Sequence, residues 1–279
     1  MMKKTYITML TVLCLLPGMR ALQAASPALK VLSAVPKGQQ TSMGRQAVNI
    51  HFNQPVVALG EDTSFSSDKC PFTITPQVKG TCRYSGTQTL VFEPTENWPD
   101  ATEFTVTLPK GFKSTVSGQK LGNAYRFSFR TQVPQITYVI PYNNEHWISL
   151  NPTLYVTATQ PVALSRASSF ITLAAQEGQN IPVAARALTE VELDKHFSYL
   201  SSQEKQNVFA VSPTQTLQMG QKYTLTLQEG LPAKNGNLGM AHPYRTSFFT
   251  YPSLKIEKVL SSGCLPFTPA VYLSTPVRK

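Results

Sequence analysis

Three landmarks in this 279-residue chain recur at one interval: Pro94 and Pro213, Gly111 and Gly230, Thr131 and Thr250 all lie 119 residues apart. Each belongs to a matched phrase. LVFEPT (90–95) stands beside FAVSPT (209–214), and FTVTLPKG (104–111) beside YTLTLQEG (223–230). SGQKLGNAYRFSFRT (117–131) stands beside NGNLGMAHPYRTSFFT (235–250). A chain that repeats its turns and its hydrophobic steps in register repeats its fold, so these are duplicated modules.

The opening phrase of each module is a strand that alternates apolar and polar residues before a Pro-Val step. Val48, Ile50 and Phe52 precede Pro55; Leu154, Val156 and Ala158 precede Pro161 at the same distances. Side chains two apart share one strand face, so each phrase is half buried. A third copy, with Val271 and Leu273 before Pro276, closes the chain, and LKI (254–256) repeats LKV (29–31). Pro55 and Pro161 differ by only 106 positions, which leaves 13 extra residues in the middle of the second module. The charged segment 188–206, free of proline and glycine, is the place for them, and Thr189 with Glu192 three later predicts a short capped helix. Short strands at regular spacing, split by Pro, Gly and Asn turns, predict an all-β chain of tandem immunoglobulin-like antiparallel β-sandwiches. The expected division is a signal peptide (1–24), one sandwich (27–131), a second (132–251), and the start of an incomplete third module (252–279), as in a truncated gene product or a fragment.

A charged fraction of 14% beside 42% hydrophobic residues argues for folded modules. Lys3 and Lys4 precede an apolar run, Ile7 to Leu16, too short to span a bilayer, and ALQA (21–24) offers a cleavage site. The chain is therefore expected to be exported and periplasmic, with no membrane anchor beyond the cleaved signal. Cys14 reads as part of that apolar run. Loss of Lys3, Lys4 and Arg20 leaves 22 basic residues against 15 acidic ones. They are dispersed, with no nucleic-acid motif, so the charge reads as surface charge and no nucleic-acid partner is expected.

Little here carries catalytic chemistry. Cys70 and Cys82 lie close in an exported chain and predict a local disulfide, contributing about 3 kcal/mol in the chain-entropy account. Cys264 has no assigned partner. His51, His146, His196 and His242 lack ligand-spaced neighbours; His51 and His196 read as solvent-facing. Glu93 with Glu96, and Asp100 with Glu103, read as solvated turn charges. Trp98 and Trp147 read as packing residues at a sandwich edge, the alternative being exposed aromatics for a carbohydrate or a partner. No catalytic, cofactor-binding or metal site is expected, and no enzyme.

IHFNQPV (50–56), the LVFEPT and FTVTLPKG strands and the closing FSFRT (127–131) resemble the Ig-like modules that open bacterial α2-macroglobulin-family proteins. Members of that family are periplasmic protease traps with a bait segment, many with a Cys-x-x-Gln thioester. The resemblance implies an amino-terminal scaffold that meets proteases through other domains and is inactive alone. Neither CPFT at Cys70 nor CLPF at Cys264 supplies the glutamine of that motif. An adhesion or carbohydrate-binding Ig-like module is the other expectation.

Overall fold

The computed structural model describes residues 27–60, 64–260 and 270–273. The expected signal segment (1–24), Cys14, Cys264 and Pro276 lie outside the described residues. The first module builds strands β1 (Val31–Val35), β2 (Gly38–Gln39), β3 (Val48–Phe52), β4 (Ser64–Ser66), β5 (Thr73–Thr75), β6 (Gly80–Ser85), β7 (Thr89–Pro94), β8 (Glu103–Leu108) and β9 (Tyr125–Arg130). They form two sheets, ordered β1-β3-β7-β6-β4 and β2-β9-β8-β5. Alternation decides which side chains meet between them. Val48, Ile50 and Phe52 are fully buried, facing Phe104, Val106 and Leu108 in one core. Trp98 packs inside that core, with ring centroids 4.9 Å from Phe104 and 5.1 Å from Phe129. Its indole N–H donates to the Gln46 carbonyl at 2.8 Å, so the one polar atom is satisfied. Cys70 and Cys82 are bonded, tying the turn after β4 to β6.

The second module repeats the plan with β10 (Ile136–Ile140), β11 (Glu145–Ile148), β12 (Leu154–Ala158), α1 (Leu164–Ala167), β13 (Ile171–Ala175), β14 (Asn180–Ile181), β15 (Val183–Ala187), α2 (Glu190–Phe197), β16 (Val208–Pro213), β17 (Lys222–Leu227) and β18 (Tyr244–Thr250). Its sheets run β10-β12-β16-β15 and β11-β18-β17-β13-β14. Leu154, Val156 and Ala158 lie in its own core with Leu225, Leu227 and Phe248. Two β-sandwiches with Ig-like order are the result, antiparallel except where β2 joins β9 and β11 joins β18 in parallel, and this is the fold class that the strand pattern predicts.

One difference from the simple alternation is informative. His51 on the outer face of β3 is half-buried, with Nδ1 3.0 Å from the Thr89 hydroxyl, rather than solvent-facing. The matching Thr157 on β12 is buried outright. In the second module helix α2 is the cause: Phe197 is fully buried and its ring stands 5.9 Å from Tyr155, on the outer face of the same sheet as Thr157. His196 packs against Tyr155 at a tilt, with ring centroids 4.8 Å apart, half-buried rather than solvent-facing. The inserted helix roofs a face that the first module leaves open.

Two further strands, β19 (Ile256–Leu260) and β20 (Ala270–Leu273), pair antiparallel. The pairing repeats that of β1 with β3 and of β10 with β12. Phe52, Ala158 and Leu273 each face the first residue of the partner strand, followed by the same one-residue irregularity.

The two sandwiches meet at a joint. Ala101 is fully buried with φ of 49°, and its carbonyl accepts the backbone N–H of Asn237 (2.9 Å) and of Leu238 (2.8 Å) from the second module. The Asn237 side-chain oxygen accepts from the Glu103 N–H at 3.1 Å. The buried Gln160 amide donates to the Gln132 carbonyl in the connecting segment at 2.9 Å. Gly236 takes φ of +83°, and a Cβ there would fall on the carbonyl oxygens of Asp100 and Ala101. Only glycine permits so close an approach.

Candidate functional site

The inserted segment builds the feature that most sets the second module apart. Helix α2 begins at a capping box: Thr189 accepts the Glu192 N–H, and the Glu192 carboxylate accepts the Thr189 N–H at 2.9 Å. Arg186, at the end of β15, clamps that carboxylate with two bonds of 2.7 and 2.8 Å. Arg186 first, and the Thr189 N–H next, hold Glu192 down at about 2. A second reciprocal pair follows, with the Ser201 N–H donating to Glu204 at 2.9 Å and the Glu204 N–H to Ser201 at 3.3 Å. It starts the short turn Glu204–Asn207 and so fixes Lys205 and Gln206.

Opposite this wall, segment 161–163 bridges to 232–234. Ala163 donates to Pro232 at 2.9 Å and Lys234 to Pro161 at 2.8 Å, which sets Lys234 beside the start of α1. The space between is a groove of about 580 Å³. Apolar side chains line it (Val162, Leu164, Leu188, Leu193 and Phe209), together with Arg166, Lys205 and Lys234. No carboxylate is among the lining residues. Among the described residues, Arg166 and Lys234 make no ion pair, and Lys205 meets Asp194, itself largely in solvent, at 3.4 Å. An adjoining hollow of about 300 Å³ shares Leu193, Lys205 and Gln206 and carries Glu190. Such a groove can hold an apolar body and neutralise an anionic head.

Two other surfaces stand out. A hollow of about 450 Å³ opens beside the disulfide, lined by Asp68, Cys70, Phe72, Ile74, Val78 and Phe92. Tyr138, Tyr142 and Tyr199 form a patch in which the Tyr138 and Tyr199 hydroxyls lie 2.7 Å apart. The hydrogen bond to Tyr138 pushes the Tyr199 phenol up to about 12. Tyr142 and Tyr199 are mostly exposed.

The residues singled out by sequence are scattered over the structure. His146 stacks on Phe249 at 4.2 Å. Glu93 pairs with Arg83 at 2.7 Å and Glu103 with Arg130 at 3.3 Å, across neighbouring strands. Partial burial at the joint raises the Asp100 carboxyl. Trp147 differs from its expected packing role: half of it is exposed, on an edge strand and with φ of 67°. Among the described residues, no three His, Cys, Asp or Glu side chains gather as a metal-binding set. Sequence reasoning missed Arg166, Lys205 and Lys234, which come from three separate segments; the 13-residue surplus pointed toward Lys205 alone.

The architecture defines a tandem of antiparallel Ig-like sandwiches. The profile of the bacterial Ig-like domain matches twice, at residues 25–131 and 130–250, and the chain belongs to that family. No curated protein matches. Among solved structures, the chain is similar to L,D-transpeptidase 3 from Mycobacterium tuberculosis (14% identity, 57% of this chain, 63% of that chain, TM-score 0.24). It is also similar to the N-terminal part of the bacterial S-layer protein SbsC (14% identity, 77% and 45% covered, TM-score 0.26). A third similarity is to Dpr2 Ig1-Ig2 in complex with DIP-Theta Ig1-Ig3 (10% identity, 81% and 100% covered, TM-score 0.24). The chain spans 63% of the transpeptidase's length.

Proposed function

We propose that this chain is a non-enzymatic scaffold whose two modules hold a fixed relative orientation within a periplasmic protein. The joint carries this reading. Backbone groups of Asn237 and Leu238 dock on Ala101, and the connecting segment is held by Gln160. Modules that merely share a chain move freely unless their contact is specific, and a contact made of backbone hydrogen bonds is specific. The finer reading is the amino-terminal scaffold portion of a bacterial α2-macroglobulin-like protease trap. Its support is the phrase resemblance and the third opening strand pair, β19 with β20. On this reading, proteases are engaged by other domains, and the chain alone neither traps nor inhibits them. Incubation with broad-specificity proteases is expected to leave their activity unchanged. Stoichiometric inhibition by the purified chain would defeat the scaffold reading.

The tyrosine patch favours a second reading, an adhesion or carbohydrate-binding module, because exposed rings stack on sugar faces. Glycan-array binding that disappears in Tyr199→Ala would support it; an array with no hits would leave the scaffold reading ahead.

A further inference from the structure

We propose that the groove between α1, α2 and the turn at Lys205 is a binding site for a small amphipathic anion, an apolar body carrying a carboxylate or phosphate head. Three observations converge on it. First, the wall made by Leu188, Leu193, Lys205 and Gln206 comes from the inserted segment, so the first module has no counterpart. Second, that wall is held from below rather than by its own packing alone: the Arg186–Glu192 clamp and the Ser201–Glu204 pair fix its two ends. A site whose supporting contacts are already made loses little freedom on binding. Third, the lining divides by chemistry. Leu164, Leu188 and Leu193 offer half-exposed apolar surface over the buried Val162 and Phe209, while Arg166, Lys205 and Lys234 supply positive charge with no lining carboxylate to cancel it.

Cations gathered without counter-charge repel one another, and an anion among them relieves that repulsion while gaining charge-assisted hydrogen bonds. Asp194 partly offsets Lys205 from the solvent side, which leaves Arg166 and Lys234 as the principal anchors. A volume of about 580 Å³ lies within the range of small-molecule sites. A groove walled by three elements favours such a ligand over an extended acidic peptide, which needs an open track. The apolar lining makes the body of the ligand matter as much as its head.

The test titrates the full chain with octanoate and with octyl phosphate, followed by amide NMR shifts. Octylamine, octanol, inorganic phosphate and an acidic peptide serve as the other arms. Octanoate or octyl phosphate is expected to shift the amides of Leu193, Lys205, Gln206 and Lys234, saturably and more weakly at high salt. Octylamine and octanol are expected to leave them in place, and inorganic phosphate to bind far more weakly. Arg166→Gln and Lys234→Gln, both at exposed positions, are expected to keep the melting temperature and to weaken binding at least about tenfold each, the scale of one lost charge-assisted contact. Equal binding of octylamine, shifts confined to other surfaces, unchanged affinity in both variants, or a response to the acidic peptide alone would overturn the proposal. The scaffold reading is untouched by any of these results, since it rests on the joint and not on the groove.

Discussion

Thr131 and Thr250 end equivalent strands, and each hydroxyl performs the same task. Thr131 Oγ1 accepts the Thr102 N–H at 2.9 Å and donates to the Pro99 carbonyl at 2.7 Å. Thr250 Oγ1 accepts the Gln221 N–H at 3.0 Å and donates to the Gln218 carbonyl at 2.6 Å. Both side chains are buried, so the clasp closes the turn that precedes β8 or β17 where water cannot substitute. Replacement by valine keeps the shape and deletes the hydroxyl. Thr131→Val and Thr250→Val should each cost about 1–3 kcal/mol, the penalty of leaving buried backbone groups unpaired. Chemical denaturation of the full chain, read with a probe in each module, should show the loss in the module that carries the change. A shift within error in both variants would mean that the hydroxyls do not hold the turns. The recurrence of threonine at a fixed interval was legible in the sequence, whereas its bonding was not, because a polar residue at a strand end reads as exposed. Ala101 was equally silent. It occupies the position of Gly220 in the second copy, and nothing in an alanine announces a left-handed backbone with φ of 49°.

Helix α2 is an element whose existence followed from the difference between the 119- and 106-residue intervals, and whose start followed from the spacing of Thr189 and Glu192. Its consequences were hidden. The alternation of β12 cannot reveal that a helix from elsewhere in the chain covers Tyr155 and Thr157. Trp147 was misread because its backbone leaves the strand conformation at a register irregularity of β11, and alternation presumes none. The capping carboxylate makes the element sensitive to acid. Glu192 sits at about 2 against an ordinary 4.5, held first by Arg186 and then by the Thr189 N–H. A depressed carboxylate contributes stability that is complete above the unfolded value of 4.5 and is lost as pH falls through the folded one. Helix α2 should therefore loosen as pH drops from 4.5 toward about 2, seen as faster hydrogen exchange at residues 192–197. Glu192→Gln keeps the capping box but removes the charge that Arg186 clamps, so it should show faster exchange already at neutral pH, a loss of about 0.2–1 kcal/mol, with a much smaller acid step. Exchange that is flat across that range in the parent chain would remove Glu192 from this role.

At the scale of the molecule, the question is whether two similar sandwiches form one object. Each has its own core, so either can persist without help from the other. What couples them is a turn of the second module laid against the buried Ala101 carbonyl of the first, with the Asn237 side chain capping the Glu103 N–H. That arrangement explains two backbone oddities together. Ala101 takes a left-handed conformation that disfavours any side chain by roughly 1–2 kcal/mol, and its carbonyl gains two N–H donors in return. Gly236 takes φ of +83° and brings the donors in where a Cβ has no room. Gly236→Ala meets both obstacles, the conformation and the two carbonyl oxygens, and its turn must withdraw from the joint. The change lies outside both cores, so each sandwich should keep its melting behaviour. Orientation is what should change. In the parent chain, residual dipolar couplings from residues 27–131 and 132–250 should fit a single alignment tensor. In Gly236→Ala they should require two, with a longer maximum dimension in small-angle scattering. One shared tensor in the variant would mean that the modules are held by something other than this joint.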